Sequence, residues 1–334
     1  MTDPGFTPSE PSSNAAAPSP PWPRIAVFGA GAVGCFHGAR FAQAGAPVVL
    51  IGRPGHVQAI RDRGLLFESA GERRRIAIEA STDARAVADA DLVLLCVKTR
   101  DTASAAAELA GRMRAGAILV SLQNGVENVA LIREASGLDP MAAVVYVAAS
   151  MPAPGHLRHA GRGDLVLGEF GPPPAGTQRA PDRVRNVAAL FERAGVPCPV
   201  SDDVRVDLWI KLVMNCAMNP VSALGRSRYG RMIDDAPTRS LLRAVVEECV
   251  AVARAEGVRL PSADRLHAAV LELGEAMREA SSSTAQDLQA GRPTEIDALN
   301  GYVARRADAQ GVAAPVNRSL HTLVKLLEAG VAAG

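Results

Sequence analysis

Aromatic side chains make up only 4% of this 334-residue chain, and its charges nearly cancel, with 36 basic and 35 acidic residues for a formal net charge of +1. With no excess of positive charge, nothing marks a nucleic-acid backbone as a partner. The five cysteines, Cys35, Cys96, Cys198, Cys216 and Cys249, include no Cys-x-x-Cys pair, and the six histidines include no His-x-x-x-His spacing. Neither a zinc cage nor a redox dithiol is spelled out, so no metal is expected, and the cysteines read as small buried hydrophobes of a reducing compartment. His37 and His267 fall on expected helices, while His156 and His159 stand close together in a Pro/Gly-rich stretch without a third ligand nearby. Long apolar runs are missing too. The uncharged stretch from Pro140 to Leu157 is broken by Pro152, Pro154 and Gly155, and it falls short of the ~20 apolar residues of a membrane helix. Residues 1–23, with seven prolines, are expected to form a disordered leader. They lack the basic start and apolar run of a secretory signal, and the expected address is the cytoplasm.

What is present is 48% apolar residues, enough to offset the ordering entropy of a folded chain, and a length of about two domains. From Arg24 the sequence RIAVFGAGAVGCFHGARFAQAGAPVVLIGR sets a short β-rich run before glycines, then a helical stretch, then a second β-branched run. That is a βαβ unit. Apolar runs at Asp91–Val97, Ala117–Leu122 and Ala143–Val147 alternate with alanine-rich helical segments such as Ala103–Met113. The alternation predicts an α/β Rossmann-type doubly wound sheet. Hairpin-like insertions around Leu65–Ala80 and His156–Phe170 are expected to add antiparallel strands. Beyond Asp202 the strand signals vanish, and Val204–Met218, Ala236–Glu256, Ser262–Glu279 and Ile296–Gln310 carry helical spacing. The expected organisation is therefore a dinucleotide-binding domain over 24–201 and an all-α C-terminal domain over 202–334, whose apolar faces serve either its own core or a homodimer interface.

Gly29-Ala30-Gly31-Ala32-Val33-Gly34 follows the strand Ile25–Phe28 and opens the helix beyond it. In this context the first glycine permits a tight turn, the second lets backbone approach a pyrophosphate, and the third allows helix and strand to pack closely. The strand Pro47–Ile51 ends on Gly52 and Arg53, with no carboxylate to take a ribose 2′-hydroxyl. Arg53 suits a 2′-phosphate instead, which favours NADP over NAD.

In Asp207–Asn219 the polar residues Lys211, Asn215 and Asn219 recur every fourth position among apolar neighbours. Four residues advance a helix by ~400°, so the three share one narrow stripe. Burying it unpartnered costs several kcal/mol in total, so the stripe calls for internal partners or a bound polar ligand, the alternative being a solvated face that leaves its apolar flanks unexplained. Pro220 is expected to end or kink the helix directly after Asn219. Beside a nicotinamide, a cleft lysine stabilises and protonates the alkoxide formed when hydride reaches a ketone, so Lys211 is the expected general acid, its pKa lowered by burial.

The glycine loop, the strand-end VKT with Lys98, the QNG with Asn124, the helix KLVMNCAMNP and the segment SSSTAQDLQAGRPTEIDALNG occur in this order between Arg24 and Glu328. In these motifs the chain resembles the ketopantoate reductase family. The resemblance implies that Lys211 is catalytic, that Lys98 and Asn124 lie on the nicotinamide and ribose side, that Asn215, Asn219 and Ser283 hold a small 2-oxo acid, and that Glu295 stands near cofactor and substrate. Read alone, Glu295 also fits a first-turn helix carboxylate. Where some family members place another substrate asparagine, this chain reads Ser227-Arg228-Tyr229-Gly230. The expected reaction is NADPH-dependent reduction of 2-dehydropantoate to pantoate, a step of pantothenate biosynthesis. The rival readings are a reductase of another branched 2-oxo acid, with Tyr229 favouring a bulkier one, and a non-catalytic NADP-binding sensor.

Overall fold

The protein is described from a computed structural model covering residues 21–176, 178–180 and 182–332. For residues 1–20 the expected leader lies outside the described residues. Its end, however, is packed. Trp22 donates from Nε1 to the carbonyl of Ala44 at 3.0 Å, meets Phe41 edge-on at 6.0 Å and lies under the Arg193 guanidinium at 3.7 Å. An indole with a carbonyl for its N–H, an aromatic ring at its edge and a guanidinium over its face has reason to dock, so Trp22, expected within the leader, is packed.

β1 (Ile25–Phe28) and β2 (Val48–Ile51) flank α1 (Ala32–Gln43), and every residue of both strands is buried, as parallel strands covered on both faces require. α2 (Pro54–Arg63) follows, then the hairpin β3 (Leu65–Ser69) and β4 (Glu72–Ile76), and then β5 (Glu79–Ser81). β6 (Leu92–Leu95), α3 (Thr102–Ala110), β7 (Ile118–Ser121) and α4 (Asn128–Ser136) continue the alternation. β8 (Met141–Ala153) and β9 (His156–Gly168) form one long hairpin, followed by α5 (Arg183–Arg193). The nine strands make a single sheet in the order β4-β3-β9-β8-β7-β6-β1-β2-β5. The insertion expected over Leu65–Ala80 holds the antiparallel hairpin β3–β4, whereas the one expected over His156–Phe170 holds a single strand, β9, whose antiparallel partner is the preceding strand β8. β5, expected as part of an antiparallel insertion, instead pairs parallel with β2, and His156 and His159 lie on β9 rather than in a loop.

The second half is helical, as expected: α6 (Val204–Leu224), α7 (Tyr229–Asp234), α8 (Ala236–Ala255), α9 (Ala263–Ala276), α10 (Ser283–Gln289), α11 (Asn300–Gln310) and α12 (Pro315–Ala332). Its apolar core also takes in Val126, Val129, Ala142 and Val144, so α6 is seated directly on the sheet portion. Two expectations need correction. The helix predicted over Ile296–Gln310 is a 3-10 turn, Ile296–Ala298, broken at Leu299 before α11 begins. Of the end or kink expected at Pro220, the end does not occur, and the helix runs through the proline to Leu224. Proline removes the N–H that would bond the carbonyl four residues back, and here the fully buried Asn300 donates from Nδ2 to that carbonyl, Cys216 O, at 3.0 Å.

Candidate active site

Gly29 has φ +110°, a left-handed conformation suited to glycine, and a Cβ there would lie 2.7 Å from the Cys96 carbonyl carbon. A Cβ on Gly34 would strike the Gly29 carbonyl oxygen at 2.2 Å, so helix and strand touch backbone to backbone. Around Gly31 a Cβ would meet nothing within 4 Å. That opening lies at the N-terminus of α1, whose cap residue, Gly31, offers no side-chain hydrogen bond and whose first turn holds no acid. Free N–H groups, the positive end of a helix dipole and empty space fit an anionic group such as a pyrophosphate. Ala30 is buried under this loop, while Ala32 and Val33 turn partly outward in the first turn. Arg53 stands exposed one residue past Gly52 as the cap of α2, and a Cβ on Gly52 would press on Ala30 Cβ at 2.8 Å. The guanidinium thus rises from the strand end next to the glycine loop, with open solvent to turn in.

In the helical half, α6 brings Lys211, the first residue of the polar stripe, against the sheet portion. The half-buried Lys211 donates from Nζ to Asn124 Oδ1 at 2.8 Å and to the carbonyl of Val145 on β8. Asn124 donates in turn from Nδ2 to Glu295 Oε2 at 3.1 Å. Lysine, asparagine and glutamate, which lie far apart in sequence, are joined in one chain of hydrogen bonds. Glu295 precedes the 3-10 turn, yet its side chain caps nothing there, so the first-turn role gives way to the contact with Asn124. Burial pushes the Lys211 ammonium down to about 8, with Glu295 opposing that fall and Arg162 adding to it.

Asn124 is held from behind. Its carbonyl accepts from Thr99 Oγ1 at 3.1 Å and from Asn128 Nδ2 at 2.7 Å, while the buried Gln123 donates to Thr102 Oγ1 at 2.6 Å and to Val97 O at 3.0 Å. This buried network fixes the loop after β7 so that the Asn124 amide faces Lys211. Lys98, at the end of β6, reaches the helical half, where Nζ donates to Asp287 Oδ2 and to the Pro293 carbonyl, both at 2.8 Å.

Further along α6, Asn219 is buried and stands 3.5 Å from the hydroxyl of the exposed Ser283, a long contact, while its carbonyl accepts from Ser282 Oγ at 3.0 Å. Asn215 is half-buried between Lys211 and Asn219 on the same stripe. The structure therefore gathers Lys211, Asn124 and Glu295, sets Asn215, Asn219 and Ser283 along one wall, and keeps the glycine loop and Arg53 on the opposite lobe. Tyr229, which favoured a bulkier substrate in the sequence reading, is built into the helical core instead. Two participants escaped the sequence reading. Asp287 holds Lys98, and Tyr146 places its ring 5.6 Å from the Lys211 ammonium. Tyr146 follows the expected strand pattern and carries no local signal, whereas Asp287 lies in the SSSTAQDLQAGRPTEIDALNG segment already singled out.

A mostly parallel sheet with a glycine-loop helix, packed against a helical lobe that sets a lysine on the sheet portion, defines a nucleotide-dependent dehydrogenase or reductase. The chain belongs to the ketopantoate reductase family. The model described as ketopantoate reductase PanE/ApbA matches residues 25–172, and that of its C-terminal part matches residues 203–328. Among curated proteins, the 2-dehydropantoate 2-reductase of Halobacterium salinarum is 35% identical over 308 residues, spanning 91% of this chain and 99% of that protein. A crystal structure of a PanE/ApbA family ketopantoate reductase from Ralstonia eutropha is similar with a TM-score of 0.84 and 46% identity, over 92% of this chain and 99% of that one. A D-mandelate dehydrogenase solved with NADH and anilino(oxo)acetate shares the fold with a TM-score of 0.85 at 22% identity, over 92% of this chain and 99% of that one. No helix among the described residues is long and apolar enough to cross a membrane.

Proposed function

We propose that this protein reduces 2-dehydropantoate to pantoate with NADPH, using Lys211 as the general acid. The observation that carries the reading is the Lys211 ammonium, held by Asn124 Oδ1 and Val145 O and joined through Asn124 to Glu295. The bound cofactor supplies the hydride. Gly29, Gly31 and Gly34, with Ala30, Ala32 and Val33 between them, shape the backbone cradle for its pyrophosphate, and Arg53 pairs with its 2′-phosphate. Lys98, Asn124 and Glu295 border its nicotinamide and ribose. As the substrate carbonyl gains negative charge, the Lys211 ammonium stabilises the oxygen and then donates the proton from Nζ. Asn124 and Glu295 keep that ammonium aimed and charged, while Asn215, Asn219 and Ser283 hold the substrate. The sheet portion, residues 24–201, and the helical portion, residues 202–334, act as cofactor and substrate domains.

Purified protein offered a panel of 2-oxo acids with NADPH and NADH in parallel tests this directly. The expected result is the highest kcat/KM for 2-dehydropantoate with NADPH, and a loss of the NADPH preference in Arg53→Ala. A decisive preference for another 2-oxo acid overturns the substrate. Tight NADPH binding without turnover of any oxo acid overturns the catalytic assignment.

A further inference from the structure

One charged side chain at the cleft is left unused by this scheme. Arg162 lies on β9 in the sequence Gly161-Arg162-Gly163, with a left-handed φ of +53° that a non-glycine residue adopts only at a cost. The strand register shifts at this point. Tyr146 faces Asp164 and Val147 faces Arg162, leaving Gly163 as the extra residue of a bulge. The bulge is tightly determined. A Cβ on Gly163 would meet the Phe36 ring, on the glycine-loop helix, at 2.6 Å. His159 Nε2 donates to the Arg162 carbonyl, and His159 Nδ1 lies 2.9 Å from the Ser69 hydroxyl. A carbonyl only accepts, so Nε2 carries the proton and the Ser69 hydroxyl donates to Nδ1, which fixes the ring that clamps the bulge.

The side chain is half exposed but held on two sides. Its guanidinium lies over the Tyr146 ring, 4.2 Å from the centroid, and donates from Nε and Nη2 to the two oxygens of Asp164 at 3.1 and 2.8 Å. Nη1 bonds to no described residue, so two of its N–H donors remain free. The Lys211 ammonium lies 5.6 Å from the centroid of the same tyrosine ring. Arg162 and Lys211 are thus separated by no more than the sum of those two distances. Lys98, the other lysine at the cleft, is committed to Asp287. Glu295 already brings a negative charge to the Lys211 side.

The geometry points to Arg162 as a specificity residue that receives the carboxylate of the 2-oxo acid. Such a substrate bears its carboxylate on the carbon next to the carbonyl that meets Lys211, so the anion enters a cleft that needs a second cation close to the first. A guanidinium with a free face of donors, braced by a ring and a carboxylate, meets that need with little ordering left to do. Asp164 and Tyr146 position the group, and the bulge aims it. The inference rests on the reading of the site as a 2-oxo acid reductase.

The test compares wild type with Arg162→Asn, because asparagine tolerates the left-handed backbone and carries no charge. The substrates are 2-dehydropantoate and its neutral lactone, which keeps the ketone and lacks the carboxylate. Loss of a charge-assisted contact is expected to raise KM for the acid by about tenfold to a hundredfold in Arg162→Asn, with kcat and the KM for NADPH little changed. KM for the lactone is expected to stay at the wild-type value, and Arg162→Lys is expected to recover part of the loss on the acid. An unchanged KM for the acid, or an equal rise on acid and lactone, overturns the assignment. Wild-type turnover of the acid, measured first, tests the reductase reading separately, so the two ideas fail by different results.

Discussion

At the scale of single residues, two bases whose pKa values are pushed down predict different pH profiles. Lys211 must be charged to donate a proton, and its pKa is pushed down to about 8. Reduction is therefore expected to run fully below that pH and to fall as pH rises through it, which a kcat profile from pH 6 to 10 checks. Lys211→Ala should lower kcat by about 10² to 10⁴, the usual worth of a general acid, while leaving the circular dichroism spectrum unchanged. Near-normal turnover would remove Lys211 from the chemistry. His37 is the opposite case. It is completely buried on α1 between Phe36 and Phe191, and neither ring nitrogen finds a partner. Desolvation pushes it down to about 3 from an ordinary value of 6.5. The unfolded chain therefore binds this proton more readily, and its contribution to stability, complete above pH 6.5, is lost as pH falls toward 3. At pH 5 the loss is about 2 kcal/mol at roughly 1.4 kcal/mol per pH unit. His37→Leu should flatten that slope and match or exceed wild-type stability at pH 7, as denaturant melts at pH 7 and 5 would reveal. A slope identical to wild type would mean that the imidazole has found a partner.

At the scale of elements, the continuation of α6 through Pro220 depends on a residue eighty positions away. Asn300 supplies the donor that proline withholds from Cys216 O and also donates to Asn317 Oδ1 at 2.9 Å. Asn300→Leu leaves that buried carbonyl unpaired, at an expected cost of about 1–3 kcal/mol. In the Pro220→Ala background the helix regains its own N–H, so the same substitution should cost measurably less. A double-mutant cycle by chemical denaturation with strictly additive losses would show that Asn300 does not serve the proline. This also explains where the sequence could be read and where it could not. The glycine loop, the β1-α1-β2 unit and the Lys211–Asn215–Asn219 stripe were legible because each is written in a run whose spacing sets its own geometry. That the helix continues past Pro220 instead of ending there could not be read locally, because the compensating donor comes from another helix. Trp22 looked like leader because only Phe41, Ala44 and Arg193, distant in sequence, give it a place. Arg162 stayed hidden because its aim is set by a bulge that appears only when β8 and β9 pair, and Asp287 because its partner Lys98 lies on the other lobe.

At the scale of the whole molecule, the two lobes are tied across the cleft from both directions. Lys211 reaches from α6 to the sheet, and Lys98 reaches from the sheet to Asp287 and Pro293. The second tie is a competition if Lys98 is to meet the cofactor, because an ammonium held by a carboxylate must be released before it can meet another acceptor. Asp287 is shared further, since Arg292 Nε donates to its other oxygen at 2.9 Å. Lys98 is about one-third exposed and Asp287 less so, which puts the pair among partly solvated bridges of modest strength. Asp287→Asn weakens the hold on Lys98 while retaining an acceptor for Arg292. If binding draws Lys98 away, the variant should bind NADPH up to about fivefold more tightly, the range expected for a partly exposed ion pair. The same change should lower the thermal midpoint of the cofactor-free protein, because the lobes lose a tie, and the gap should narrow when NADPH saturates the site. Fluorescence titration and melting curves with and without NADPH measure both quantities on the same samples. Weaker NADPH binding in Asp287→Asn would mean that the Lys98–Asp287 bridge is itself part of the binding-competent cleft, held in place by the cofactor instead of exchanged for it.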